Sequence, residues 1–461
     1  MASSIRVIST SNIHLASQNS DSTRKIELGP WDLQVLLLDL IQVGFVYHDH
    51  PHSNRDTVIQ HLKASISSTL DYFPQLAGRL AVIEHDDYGT YSVFIHCNNA
   101  GALFIHATAE GLTISDILRP DYLPPIVWSF YPLTDAKNYE CTQKPLLAVK
   151  VTELVDGMFI GVTINHALGD RKSIMHFLTC WSEIARGVGL LSKPPTLQRW
   201  FPGGTERPMR IRIPKDNEKE KERLKSPLPP PQERVFHFSK EKIAELKAKA
   251  NATLSSNYKI SSPQALMAHL WRAIVRNQGI DPKEEVNFKL VVDIRPRLNP
   301  PLPPHYFGNA LDDGTVRMTA GELLHQEGLG KAASEMNKVV ASFTEETIGS
   351  HLKSWLEDRR LLTISEMFGD AVDMDGSPTF NVYGVDLGWG KPVAVRSGPG
   401  DKSNGTITVF AGPEKGDVYA EVNLPYEIME AMGRDSEFMD AVMPAVGFFI
   451  VKKMRSFRSY L

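Results

Sequence analysis

Apolar and polar positions alternate along residues 159–165. Phe159, Gly161, Thr163 and Asn165 interleave with Ile160, Val162 and Ile164. A period of two that carries β-branched residues predicts a strand with at least one buried face. Residues 146–155 show the same alternation and turn at Asp156-Gly157 into that strand. Past Asp170 the period changes: Ile174, Phe177, Leu178, Trp181, Ile184 and Ala185 recur at helical spacing until Gly187. This predicts a helix over 173–186. His166 and Asp170 therefore fall in the turn through which a buried strand feeds a helix.

The same reading predicts an edge strand over 5–13, a helix over 58–70 and strands over 91–95 and 103–107. In the second half, strands are predicted over 235–238, 288–293, 379–385, 393–395, 406–410 and 417–424. Helices are predicted over 240–250, capped by Ser239, and from Ser261 with Pro263 in its first turn. Further helices cover 321–344, 349–360 and a segment from Tyr426. Between the halves, a mixed-charge run over 215–225 and the prolines from Pro227 to Pro231 predict a solvated crossover. The order is mixed α/β: a first domain over 1–205, a crossover over 206–234 and a second domain over 235–461, with no internal repeat.

Composition narrows the function. Of 461 residues, 42% are hydrophobic and 23% charged, and 50 Lys+Arg against 54 Asp+Glu give a net charge of -4. These are ordinary values for a globular chain and point to neither a nucleic acid nor a membrane partner. Cys97, Cys141 and Cys180 are far apart, so neither a disulfide framework nor a zinc knuckle is expected. With no secretory signal, the expected location is cytosolic.

A neutral histidine held at the end of a rigid strand is placed to act as a general base. The string His166-x-x-x-Asp170 is short, and the chain has a second copy at His52 and Asp56, in a polar loop with no strand before it. Context selects His166. His48, His50 and His52 alternate in that loop with no distant ligand cluster to complete a set, so no metal is expected. Asp39 and Gln42 interrupt the apolar run 35–47, at a solvated edge or facing a pocket. Nucleotide-binding glycine motifs and a Gly-x-Ser-x-Gly elbow are absent.

Four segments occur in order: residues 72–80 (Tyr-Phe-Pro-Gln-Leu-Ala-Gly-Arg-Leu), His166-Ala-Leu-Gly-Asp170, Tyr306-Phe-Gly-Asn309 and residues 386–392 (Asp-Leu-Gly-Trp-Gly-Lys-Pro). Together, over nearly the full length, they resemble the plant BAHD acyltransferases. These enzymes move an acyl group from a coenzyme A thioester to an alcohol or amine.

The resemblance implies two chloramphenicol-acetyltransferase-like domains with a channel between them and His166 near its middle. It implies a monomer with acyl-CoA as co-substrate, a small specialised metabolite as acceptor and no permanently bound cofactor. His166 is the implied general base. Asp170 is implied to point away from it and orient the loop through an arginine, for which Arg295 is the candidate. Asp386, Gly388, Trp389 and Gly390 are implied to be structural. Thr379, Asn381 and Tyr383, on one face of the predicted strand, are nominated to meet the acyl carbonyl, and Asp39 and Gln42 to line the acceptor side.

The chain departs from the family twice. Arg171 stands where a glycine usually follows the motif aspartate, and Leu387 stands for the usual phenylalanine. A glycine at 171 would permit a left-handed backbone that arginine tolerates poorly. The alternative these departures leave is a coenzyme A-independent lyase on the same scaffold.

Overall fold

The computed structural model describes residues 5–17, 24–49, 54–85, 89–203, 205, 207–213, 231–254, 259–369, 371–400 and 402–444. The charge run 215–225, most of the proline stretch, His50, His52 and the C-terminal residues 445–461 lie outside them.

Two six-stranded mixed sheets form the frame. The first runs Ile5–Ile13, Ala102–Ala109, Leu147–Glu153, Gly157–Ile164, Ile41–His48, Ala394–Ser397. The second runs Leu311–Thr319, Glu285–Asp293, Val372–Ser377, Thr406–Ala411, Val418–Leu424, Gln232–Phe238. Lys25–Glu27, Thr90–His96 and Arg79–His85 make a small third sheet. Each large sheet has its own apolar core. Helices Arg55–Leu70 and Arg171–Ala185 pack against each other and contribute to the first core, and helices Lys240–Ala252, Ser262–Gln278 and Gly328–Ser342 to the second. Among the described residues no helix is long and apolar enough to cross a membrane.

The strand Gly157–Ile164 is buried along its whole length. It has neighbours on both edges, Leu147–Glu153 and Ile41–His48. It is therefore a central strand, and its end is a rigid mount. The helix that follows begins at Arg171, two residues earlier than the apolar period suggests, because Asp170 caps it: Oδ1 accepts from the Ser173 N–H at 3.0 Å.

Several elements differ from the pattern-based reading. Residues 379–385 are not a strand. The strand lies earlier, at Val372–Ser377, and Pro378 ends it before a short 3-10 turn at Val382–Gly384. The pattern missed the true strand because Asp373, Asp375 and Gly376 interrupt it. The helix expected over 321–344 is two, Ala320–Leu324 and Gly328–Ser342. Ala394–Ser397 belongs to the second segment by sequence, yet it pairs antiparallel with Val43–Val46 of the first sheet. It covers an edge that would otherwise be open and ties the halves together. Cys97, Cys141 and Cys180 are buried and unbridged.

Candidate active site

His166 opens a 3-10 turn, His166–Leu168, directly after the central strand. Its backbone is held from both sides. The His166 N–H donates to Asn138 Oδ1 at 2.7 Å, and its carbonyl accepts from Asn309 Nδ2 at 2.8 Å. Asn138 is buried and also donates to the carbonyls of Val35, Leu38 and Asp39. Asn309 is anchored in turn by Asp32, whose Oδ1 accepts from both its backbone and its side chain.

The ring stands where two cavities meet. One, about 410 Å³, is lined by residues of both halves, and the other is about 110 Å³; His166 lines both. Nδ1 is buried without a hydrogen-bond partner, so Nε2 is the nitrogen left to meet a ligand. Burial pushes the imidazole below its ordinary pKa of 6.5; a polar contact with its own backbone and then the charges of Asp170 and Asp375 oppose this, and Arg171 adds to the lowering. The ring is neutral at neutral pH and able to accept a proton.

Asp170 makes no hydrogen bond to His166. Its carboxylate is fully buried and pairs with Arg295 at 2.8 Å, caps the helix, and accepts from the Ala310 N–H at 3.1 Å. Arg295 also reaches Asp293 at 3.1 Å and the Gly308 carbonyl at 2.8 Å. This cluster clamps the turn to the second half of the chain.

The nominated binding residues separate. Gln42 lines the larger cavity, where its Oε1 accepts from the Gly400 N–H at 3.1 Å. Asp39 does not appear in either cavity wall; it pairs with Lys137 at 2.7 Å. Thr379 is exposed and lines the larger cavity, with Oγ1 2.7 Å from Ser377 Oγ. Asn381 is exposed and lines neither cavity, and Tyr383 is buried elsewhere, its phenol pushed up to about 12 by burial. With no strand at 379–385, the three do not share a face.

Asp386 closes its own loop. Oδ1 accepts from the N–H groups of Gly388 at 2.9 Å and Gly390 at 3.0 Å. Both glycines have φ above +100°, which L side chains rarely adopt. Ser182 brackets the Asp386 backbone, His61 meets the Leu387 carbonyl at 3.1 Å, and the Trp389 ring packs edge-on against Tyr47. Leu387 is fully buried in the first core. None of these residues lines the His166 cavities.

The expected difficulty at Arg171 does not arise. It is the first residue of a helix and needs no left-handed backbone. Its guanidinium pairs with Asp375, Nε to Oδ2 at 2.7 Å, and both residues line the larger cavity beside His166. Asp375 had no signal in the sequence, because it sits in the strand the pattern missed. Asn138 had none either, and Asn309 was visible only as part of a motif.

The chain matches the model described as the transferase family over residues 3–439. An uncharacterized acetyltransferase of Arabidopsis thaliana is 36% identical over 443 residues, covering 95% of this chain and 99% of that protein. The BAHD acyltransferase DCR of the same plant is 32% identical over 396 residues, covering 84% and 81%. The chain belongs to the plant BAHD acyltransferases. Among solved structures, this BAHD chain superposes on vinorine synthase with a TM-score of 0.70 at 20% identity, covering 95% of this chain and 98% of that one. It superposes on TRI101 of F. sporotrichioides, determined with coenzyme A and T-2, with a TM-score of 0.72 at 18% identity, covering 92% and 100%. These likenesses establish the two-domain BAHD fold.

Proposed function

We propose that the chain transfers an acyl group from an acyl-coenzyme A thioester to a hydroxyl or amine of a small metabolite, with His166 as general base. The observation that carries this is a neutral histidine at the junction of two cavities, its Nδ1 enclosed and its backbone fixed by Asn138 and Asn309. A two-substrate reaction needs such a meeting point. Family membership, and a TRI101 structure with coenzyme A bound, support the thioester as donor.

In this reading Nε2 takes the proton as the acceptor oxygen or nitrogen attacks the thioester carbonyl. The tetrahedral intermediate collapses with cleavage of the C–S bond, and the imidazolium returns its proton to the leaving thiolate. Positioned base catalysis of this kind contributes roughly 10²–10⁴-fold. Thr379 is the nominated hydroxyl that lines the cavity, and it is the oxyanion donor we propose. Asp170 and Arg295 hold the turn in this reading and take no part in proton transfer.

The test is a thermal-shift screen of the full chain with free coenzyme A and an acyl-CoA panel, followed by turnover assays of wild type and His166→Ala. A native-state ligand at 100 times its Kd adds about 2.7 kcal/mol, which is readily seen. The expected result is a shift with one acyl-CoA and turnover that His166→Ala abolishes without unfolding. Retained turnover in His166→Ala removes the base assignment. The absence of any shift, from a protein that melts cooperatively, favours the coenzyme A-independent lyase.

A further inference from the structure

A separate cavity of about 550 Å³ lies between the two halves and shares no lining residue with the cavities at His166. Its volume is within the range of about 300–1,000 Å³ usual for small-molecule sites. Three arginines from three separate elements line it: Arg119 follows the helix Ile114–Leu118, Arg234 lies on Gln232–Phe238, and Arg396 lies on Ala394–Ser397. Asp121 is the one carboxylate in the wall; it is largely exposed and 3.9 Å from Arg234. The wall is therefore cationic.

Arg396 and Arg234 supply the charge that an anion in the cavity would meet. Arg396 is 8% exposed. One terminal nitrogen donates to the adjacent Val395 carbonyl at 2.8 Å, and Nε is buried with no hydrogen-bond partner. Two buried carboxylates of neighbouring strands balance part of the Arg396 charge, and that charge acts on Glu233; each spends one oxygen on another partner. Glu233 accepts from Lys402 at 2.6 Å, and Glu421 accepts from the Ser397 N–H at 2.9 Å. An anion that reaches the guanidinium from the cavity would form charge-assisted hydrogen bonds in a partly desolvated wall. The rest of the wall is apolar or aromatic. Met439 and Met443 contribute, and the rings of His237 and Tyr419 stack at 4.6 Å and 9°.

We propose that this cavity binds a small organic anion: a carboxylate or phosphate monoester on an aromatic or aliphatic body. Arg396 and Arg234 hold the head group, and the body rests against Met439 and Met443. The site is independent of the acyl-transfer reading, because none of its residues lines the His166 cavities.

Methionine-methyl NMR of the full chain tests this without a known substrate. Phenyl phosphate and benzoate are titrated, with benzyl alcohol as the uncharged control. Met439 and Met443 report on this cavity, and Met367 and Met374 on the larger His166 cavity. The expected result is a saturable shift of the Met439 and Met443 signals with at least one anion. Benzyl alcohol should bind at least tenfold more weakly, and Arg396→Gln should lose at least tenfold in affinity. The stronger of the two anions identifies the head group. If Arg396→Gln does not fold, Arg234→Gln replaces it, with a loss of threefold or more expected. The proposal is overturned by saturation at Met367 and Met374 alone, by no saturable shift, by equal affinity for benzyl alcohol, or by unchanged affinity in the folded arginine variant.

Discussion

Arg171 Nε lies 2.7 Å from Asp375 Oδ2, and this ion pair joins the helix after the His166 turn to a strand of the second sheet. On top of the lowering by burial, the two charges act on His166 in opposite senses: Asp375 raises its pKa and Arg171 lowers it. Arg171→Gly, which installs the usual family residue, should therefore move the acidic limb of activity to higher pH. Asp375→Asn should move it to lower pH. The check is kcat/KM against pH or, before a substrate is known, the pH dependence of His166 modification by diethyl pyrocarbonate. Movement of both variants in the same direction would refute this account.

Asp170 and Arg295 should govern stability, and His166 turnover. The pair is 2.8 Å apart with both side chains almost fully buried. Removing one partner of such a pair leaves an uncompensated buried charge, which costs about 3–5 kcal/mol. Urea unfolding of Asp170→Asn should show a loss of that order. His166→Ala removes a ring whose polar contact is with its own backbone, and should unfold near the wild-type midpoint.

The Asp386 loop offers a contrast. Asp386→Ala removes the acceptor of two backbone N–H groups, a loss of about 2 kcal/mol for hydrogen bonds to a charged group. The loop lies outside the His166 cavities. Thermal unfolding should fall, while the pH profile of whatever activity remains should keep its wild-type midpoint. A displaced midpoint would show that the loop acts on the reaction centre.

Stability should also depend on pH through His269. Burial pushes this histidine down to about 4, and it stacks on Phe438. Between pH 6.5 and 4 the unfolded chain binds a proton that the folded chain does not. Its contribution is complete above pH 6.5 and is lost as pH falls toward 4, at about 1 kcal/mol per pH unit. Chemical denaturation at pH 7, 6 and 5 should show the slope, and His269→Phe should flatten it.

The sequence by itself determined what depends on neighbours along the chain. The period-two run fixed the central strand, the helical period fixed the helix after it, and the aspartate between them became its cap. Motif order pointed to the family. Tertiary structure alone decided which side chains meet. Asp375 reaches Arg171 across 204 residues, and Asp170 faces Arg295 across 125. Asn138 comes to the His166 backbone from the start of a short 3-10 turn with no periodic signature. Asp39 found Lys137, and residues 379–385 turned where a strand was expected. Periodicity records which face of one element is buried; it holds no information about which distant element will cover that face. The site at His166 is made by such crossings between two sheets, so its base was legible in the sequence and most of the residues around it were not.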